Sequence, residues 1–245
     1  MTSSPNYRPP SEIDVWDAEN VFYLKSPKSR LGKLLSHYEI YKSVIGVPGA
    51  VVECGVYKGA SLIQFATFRA LLENDDARAI YGFDAFGMFP TADVAGGADQ
   101  AFIKRFEEAG GAGITEQGLM SAMNEKGLRN VSLIAGDVRN TIPSFLDRVP
   151  HVRIALLHLD MDVYEPTKYA IEAFLPHMTP GGLIVFDDYN AVEGATRAAD
   201  ELVLEHGLTL QKSAYYNVPA CVTIGGNPSL VIRKSTAANS DIAAR

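Results

Sequence analysis

Cysteine, long apolar runs and charge of one sign are all scarce in this chain, and each shortage removes a class of protein. Cys54 and Cys221 are the only cysteines among 245 residues. They make neither a CxxC pair nor the dense spacing of a secreted disulfide framework, which points to a reducing compartment. No apolar run approaches the ~18 residues needed to span a bilayer. The N-terminal MTSSPNYRPPSEIDVW lacks the basic-then-apolar order of a signal peptide, so a cytoplasmic protein is expected. Charge is not blocked either: 22 basic and 29 acidic residues are interspersed for a formal −7. That gives no electrostatic footprint for nucleic acid or an anionic membrane and suits a small neutral or cationic ligand better. There is no internal repeat, and residues 235–245 are small and polar and read as a frayed tail.

What is present is a rhythm. With 47% hydrophobic residues the chain can bury a large core. Its Val-, Ile- and Leu-rich runs, GAVVEC, RAIYGFD, NVSLIAGD, RIALLHLD and GGLIVFDD, are continuous rather than alternating. Continuous runs suit strands covered on both faces, hence a mostly parallel sheet with crossover helices in one doubly wound α/β domain. Between them, SRLGKLLSHYEIYKSV carries Leu31, Leu34, Leu35, Tyr38 and Tyr41 at helical spacing as a packing stripe. ASLIQFATFRALLE and GATRAADELVLEHG are further helices, the latter stopped by Gly207. LTLQKS and ACVTIGGNPSLVIRK read as short strands with a GGNPS turn, an antiparallel return at one sheet edge. Residues 87–118, glycine-rich at both ends around AFIKRFEEA, are either a lid over the site or a surface insertion.

Acids gather where these runs end, at the edge where open parallel sheets bind ligands. In VVECGVYKGASL, Glu53 opens a strand-to-helix turn in which a phosphate-binding loop would have glycine. A carboxylate there repels phosphate and attracts the ammonium of an amino acid. The E-x-G-x-x-x-G spacing of Glu53, Gly55 and Gly59 resembles motif I of the class I S-adenosylmethionine methyltransferases. Glu53, Gly55, Tyr57, Gly59 and Ser61 are therefore the candidate cofactor contacts of this turn. Asp84 closes the second strand, where a carboxylate can accept both hydroxyls of a ribose. Asp137 after the third strand lies either against an adenine or at a helix N-cap, and Phe86 either on the base or in the core.

The densest group of acids is in HLDMDVYEPT and GGLIVFDDYN. Asp160 ends the fourth strand and Asp187 and Asp188 the fifth, and neighbouring strands lie ~4.8 Å apart. Desolvating unpaired carboxylates is costly, and a hard divalent cation removes the repulsion while keeping them ionised. The alternatives are that Asp187 or Asp188 caps the next helix and that Asp160 pairs with a lysine. Asp162 either joins the site or caps EPTKYAIEAF.

ECGVYKG, YGFDAF, LHLDMDVYEPT and PGGLIVFDDY together resemble the macrocin O-methyltransferase family, from about Leu31 to the final strands. That resemblance implies a Rossmann-like, seven-stranded, mostly parallel sheet with an antiparallel edge strand and helices on both faces. It implies S-adenosylmethionine as methyl donor, Mg2+ on Asp160, Asp187 and Asp188, a sugar hydroxyl as acceptor and Asp160 as general base. A carboxylate holding a cation is a weak base, so Asp162 and His158 are further proton acceptors, although His158 on its apolar strand also reads as a core histidine. The implied layout is an N-terminal extension over 1–30, a methyltransferase domain over 31–234 and a lid over 87–118. Trp16 in VWDAENVFYLK is placed to pack on a partner subunit or to close over the acceptor. Rival readings are a catechol-type O-methyltransferase, a non-catalytic ligand-binding relative and a nicotinamide oxidoreductase, the last disfavoured by Glu53.

Overall fold

The five continuous apolar runs become five parallel strands, because each buries side chains on both faces. The computed structural model describes residues 14–89 and 97–225. Its strands are β1 (Ala50–Cys54), β2 (Ile80–Asp84), β3 (Val131–Ala135), β4 (Ile154–Leu159), β5 (Met178–Phe186), β6 (Gln211–Lys212) and β7 (Ala220–Thr223). They form one seven-stranded sheet in the order β3-β2-β1-β4-β5-β7-β6. The first five run parallel, and β7 enters antiparallel to β5. The run LTLQKS supplies only the two residues of β6, and the GGNPS turn and following run lie, from residue 226 on, outside the described residues. So do the expected tail and residues 90–96 of the expected lid.

The helices are α1 (Val15–Lys25), α2 (Lys28–Ser43), α3 (Ala60–Leu72), α4 (Gly97–Gly110), α5 (Glu116–Glu125), α6 (Val138–Arg148), α7 (Tyr164–Phe174) and α8 (Glu193–His206). On one face of the sheet, Ile142 and Phe145 of α6, Ile171 and Phe174 of α7 and Leu202 of α8 pack on Val52, Leu157 and Ile184. On the other, Ile40 and Tyr41 of α2, Leu62 and Phe65 of α3 and Leu119 and Met123 of α5 pack on Val51, Leu156 and Val185. Successive strand residues therefore alternate between the two cores, except at the irregularity in β4, where Ala155 and Leu156 face the same one. Each such fully buried side chain contributes about 1.5–3 kcal/mol. Cys54 and Cys221 are buried and free, and Gly207 ends α8 in the left-handed conformation.

α2 departs from its sequence pattern. Of the apolar stripe, Leu34, Tyr38 and Tyr41 do pack on the core, but Leu31 and Leu35 are exposed, and the buried residues also include Gly32, Ser36, His37 and Ile40. The polar side turns inward because His37 and Ser36 find hydrogen-bonding partners there, in Gln64, Asp187 and Ser213. Among the described residues no helix is long and apolar enough to cross a membrane. α1 buries no side chain at all, and Trp16 is 72% exposed.

Strand register aligns the site. The order reverses at β1, so the crevice between the ends of β1 and β4 is the switch point of the sheet. Asp160 N donates to Cys54 O at 2.8 Å and Asp187 N to Leu159 O at 3.0 Å, which places Gly55, Asp160 and Asp187 side by side just past three strand ends.

Candidate active site

The acids past β4 and β5 do converge. Asp160, Asp187 and Asp188 each offer a carboxylate oxygen, and these oxygens lie within 4.8 Å of one another. Their environments differ. Burial and the charges of Asp187 and Asp188 push Asp160 well above the carboxylate range, and burial with Asp162 and Asp187 pushes Asp188 up to about 8. Burial raises Asp162 to about 7, with Asp160 adding to the effect. Asp187 goes the other way: burial opposes its charge, but hydrogen bonds from His158 and His37 and the Lys33 ammonium hold it well below the usual range. Asp188 Oδ2 is buried without a hydrogen-bond partner. This cluster carries more negative charge than its neighbours neutralise, so an oxygen-seeking divalent cation fits it.

Beneath it runs a buried polar chain. Asp187 Oδ1 lies 3.3 Å from both His37 Nε2 and His158 Nε2, and Lys33 Nζ donates to Asp187 Oδ2. His37 Nδ1 meets Gln64 Oε1 at 2.8 Å, and His158 Nδ1 is 3.5 Å from Glu53 Oε1, which also accepts from Ser61 Oγ. Burial works against a charged His158, but its bond to Asp187 and the nearby Glu53 carboxylate push it up to about 10. His158 is thus a paired core histidine that already carries its proton, and it is a poor proton acceptor.

On the β1–β3 side the edge opens into a cleft lined by Gly55, Tyr57, Asp84, Asp137, Asp160 and Asp162 among others. Gly55 sits at φ 91°, and a Cβ there would stand 1.9 Å from Asp160 O, so only glycine lets the two strand ends approach this closely. Asp84 holds the turn together: its Oδ2 accepts from Val56 N at 2.8 Å and Tyr57 N at 2.9 Å, and its Oδ1 from Phe86 N at 2.6 Å. Asp137 does two things at once. It caps α6, accepting from Arg139 N at 2.9 Å, and it lines the cleft, with its charge favoured mainly by the Arg139 side chain. Tyr57, Phe86 and Asp162 all have positive φ, 51°, 51° and 63°, so the strained backbone of non-glycine residues concentrates at this edge.

Three expected cofactor contacts stand back from the cleft walls. Glu53 and Ser61 are buried and bonded to each other, and Gly59 faces α5, where a Cβ would stand 2.5 Å from Leu119 Cδ1. Glu53 Oε2 is nonetheless buried without a partner, and a Glu53 oxygen lies within 4.8 Å of one of Asp160. Phe86 packs against the core on the α2–α3–α5 face. The helix caps expected of the acids are absent: α7 and α8 have Val163 and Val192 at their N-caps. The lysine expected as an alternative partner of Asp160 is Lys33, and it bonds Asp187 instead. Segment 87–118 does border the cleft, through Gly87, Met88, Phe89, Phe106, Glu107 and Gly111.

Lys33, His37 and Asp99 were not marked by any sequence signal. Asp99, near the start of α4 and buried, accepts from Tyr164 N at 2.9 Å. A shared face of Gly32, Ser36 and His37 on α2 was the one trace, since small and polar residues there interrupt the apolar stripe.

A seven-stranded sheet with this order, a glycine-bearing turn after β1 and acids past β2, β4 and β5 define the class I methyltransferase architecture. The chain belongs to the macrocin O-methyltransferase family, whose profile, Macrocin-O-methyltransferase (TylF), matches residues 24–213. Among its relatives, 8-demethyl-8-(2,3-dimethoxy-alpha-L-rhamnosyl)-tetracenomycin-C 4'-O-methyltransferase of Streptomyces olivaceus is 29% identical over 67% of this chain and 61% of its own length. Mycinamicin III 3''-O-methyltransferase of Micromonospora griseorubida is also 29% identical, over 67% of this chain and 64% of its own. The match thus takes in less than two thirds of either relative. CalS11, a calicheamicin methyltransferase of known crystal structure, is 30% identical with a TM-score of 0.65, covering 89% of this chain and 88% of that one. The O-methyltransferase NovP, 22% identical with a TM-score of 0.68 over 79% of each chain, shares the fold.

Proposed function

We propose that this protein is an S-adenosylmethionine- and divalent-cation-dependent O-methyltransferase that acts on a sugar hydroxyl of a glycosylated natural product. The observation that carries the reading is the position of Asp160, which lines the cleft and belongs to the three-carboxylate cluster as well. Family membership and relatives named for methylating rhamnosyl and mycinamicin hydroxyls support it. A sugar is favoured over a flat phenol by the second cleft beside the cluster, which is lined by Ser29, Arg30, Lys33, Asp187, Asp188 and Tyr216 rather than by an apolar slot.

The residues fit both absent groups. For S-adenosylmethionine, Gly55 leaves open space and Glu53 Oε2 offers an unpartnered acceptor to the methionyl ammonium. Asp84, with three backbone amides on it, keeps one lone pair for a ribose hydroxyl, and Asp137 and Tyr57 border the rest of the cleft. For Mg2+, Asp160, Asp187 and Asp188 are the ligands, with Asp188 Oδ2 the orphan that gains a partner. When bound, the first supplies an electrophilic methyl group and the second a positive charge that makes a neighbouring hydroxyl more acidic. The chain's own work is alignment, which by itself can supply about 7–11 kcal/mol of a barrier. Asp160, shared by cleft and cluster, orients the acceptor hydroxyl toward the cofactor side. Asp162 takes the proton, because it borders the cleft beside Asp160 and keeps out of the ligand set. The 87–118 segment acts as the lid that keeps water from the methyl group. The deciding experiment incubates the protein with labelled S-adenosylmethionine and a panel of deoxysugar glycosides, with and without EDTA. Label on a sugar oxygen that EDTA abolishes supports the reading, and transfer insensitive to EDTA removes the cation.

A further inference from the structure

We infer that Lys33 is a built-in counter-cation: its ammonium holds the carboxylate cluster when no divalent ion is bound, and ion entry displaces it into the neighbouring polar cleft. This rests on the proposed cation site. Both oxygens of Asp187 are already in use, Oδ1 by the two imidazoles at 3.3 Å each and Oδ2 by Lys33. An ion taking Asp187 Oδ2 as ligand would meet the ammonium on the same oxygen, two positive groups within about 4 Å. Both imidazoles are buried, His37 held on its far side by Gln64 and His158 packed between Phe65, His37 and Glu53, so they have nowhere to go. Lys33 has. Its side chain is 26% exposed and borders the cleft formed with Ser29, Arg30, Tyr216 and Val218.

The backbone beneath it is fixed, which confines the exchange to the side chain. A Cβ at Gly32 would stand 3.0 Å from Tyr215 O, so α2 rests directly on the Tyr215–Tyr216 backbone, and Ser36 Oγ and Ser213 Oγ bond the next turn to the same segment. Lysine suits the role because its charge sits on a flexible four-carbon stem, and a guanidinium would hold the carboxylate with a rigid fork. A cluster with its own counter-cation stays folded without metal, and gives up some metal affinity for it.

The test is titration of Mg2+ into EDTA-stripped full-length wild type and Lys33→Met, followed by calorimetry, with thermal melting of each protein at zero and saturating Mg2+. Lys33→Met should bind Mg2+ at least about tenfold more tightly, since one repelling charge is gone. Its metal-free form should melt lower than wild type, with the difference closing at saturation. In wild type carrying 13Cε-labelled lysine, the Lys33 signal, assigned by its loss in Lys33→Gln, should move on Mg2+ addition. Unchanged or weaker Mg2+ binding by Lys33→Met overturns the exchange, as does a Lys33 signal that saturating Mg2+ leaves in place; the second readout does not depend on Lys33→Met folding. Wild type that takes up no Mg2+ at all removes the cation site itself, and sugar methylation that persists in that case leaves the methyltransferase reading standing.

Discussion

At the ends of β2 and β3, Asp84 and Asp137 are surrounded by donors: three backbone amides for the first, an amide and a guanidinium for the second. At the ends of β4 and β5, Asp160, Asp162 and Asp188 face one another, and the imidazoles and Lys33 all attend to Asp187. The same residue type, on the same edge of the same sheet, is structural on one side and short of positive charge on the other. Carboxylates satisfied by the chain shape a pocket, whereas carboxylates left unsatisfied ask for something the chain does not contain.

The largest effect should come from exchanging a charge on each side. Asp160→Asn removes the proposed ligand and orienting group, and methyl transfer should fall by on the order of 10²–10³. Calorimetric binding of S-adenosylhomocysteine should stay within about threefold of wild type, a difference under 0.7 kcal/mol. Asp84→Asn should do the reverse. An amide cannot accept from Val56, Tyr57 and Phe86 together, so it should cost about 1–3 kcal/mol of stability and weaken S-adenosylhomocysteine while Mg2+ affinity stays put. If either variant loses both ligands equally, the two sides are not separate functions.

A smaller effect distinguishes them by pH. Without metal, the folded chain keeps protons on Asp162 and Asp188 that the unfolded chain releases near pH 4. Their contribution to stability is therefore full below about pH 4 and is lost as pH rises through about 7 and 8. His158, raised to about 10, adds a loss of the same sign above about pH 6.5. Asp187, held low, contributes stability that is present throughout that window and fails only in acid. Urea unfolding of EDTA-treated protein should give a midpoint that falls from pH 5 to pH 8, and saturating Mg2+ should flatten the fall. A metal-free profile already flat over that range would mean that Asp162 and Asp188 find counter-charge beyond the Lys33 ammonium on Asp187.

The two sides were unequally legible in the sequence, too. Strands written as continuous Val, Ile and Leu runs declare themselves, and an acid directly after such a run has to sit at the sheet edge, so Asp84, Asp160, Asp187 and Asp188 could be placed by number. β6, two residues long, has no periodicity to detect. α5 was missed because EQGLMSAMNE buries only Leu119 and Met123 and follows a glycine-rich stretch. The partners of the acids were hidden for a different reason. Lys33 and His37 belong to a helix whose apolar spacing marks only part of the buried face, and they meet Asp187 across more than 140 residues of chain, a proximity only the finished fold creates. Glu53 lies inside β1, one step before the turn, and its burial depends on Ser61 and His158 arriving from two other elements.

The smallest expected effect concerns a further contact between the two sides. α4 contributes Phe106 and Glu107 to the cleft, and near its start Asp99 accepts from Tyr164 N, at the beginning of the helix that follows the Asp160–Asp162 loop. Val163, the N-cap of α7, has no side-chain oxygen to offer, so Asp99 caps α7 from a distance. Room for it exists because residue 194 is glycine: a Cβ there would stand 2.6 Å from Asp99 Oδ1. Asp99→Ala should cost about 1 kcal/mol of stability, the usual value of a lost cap. It should also raise KM for S-adenosylmethionine a few-fold with kcat nearly unchanged, because the cleft wall loosens and the carboxylate cluster is untouched, about 0.8 kcal/mol in binding. Asp99→Asn retains an accepting oxygen and should recover most of both. If Asp99→Ala instead lowers kcat as far as Asp160→Asn does, the wall and the cluster act as one unit, and the contrast between the two sides of the edge dissolves.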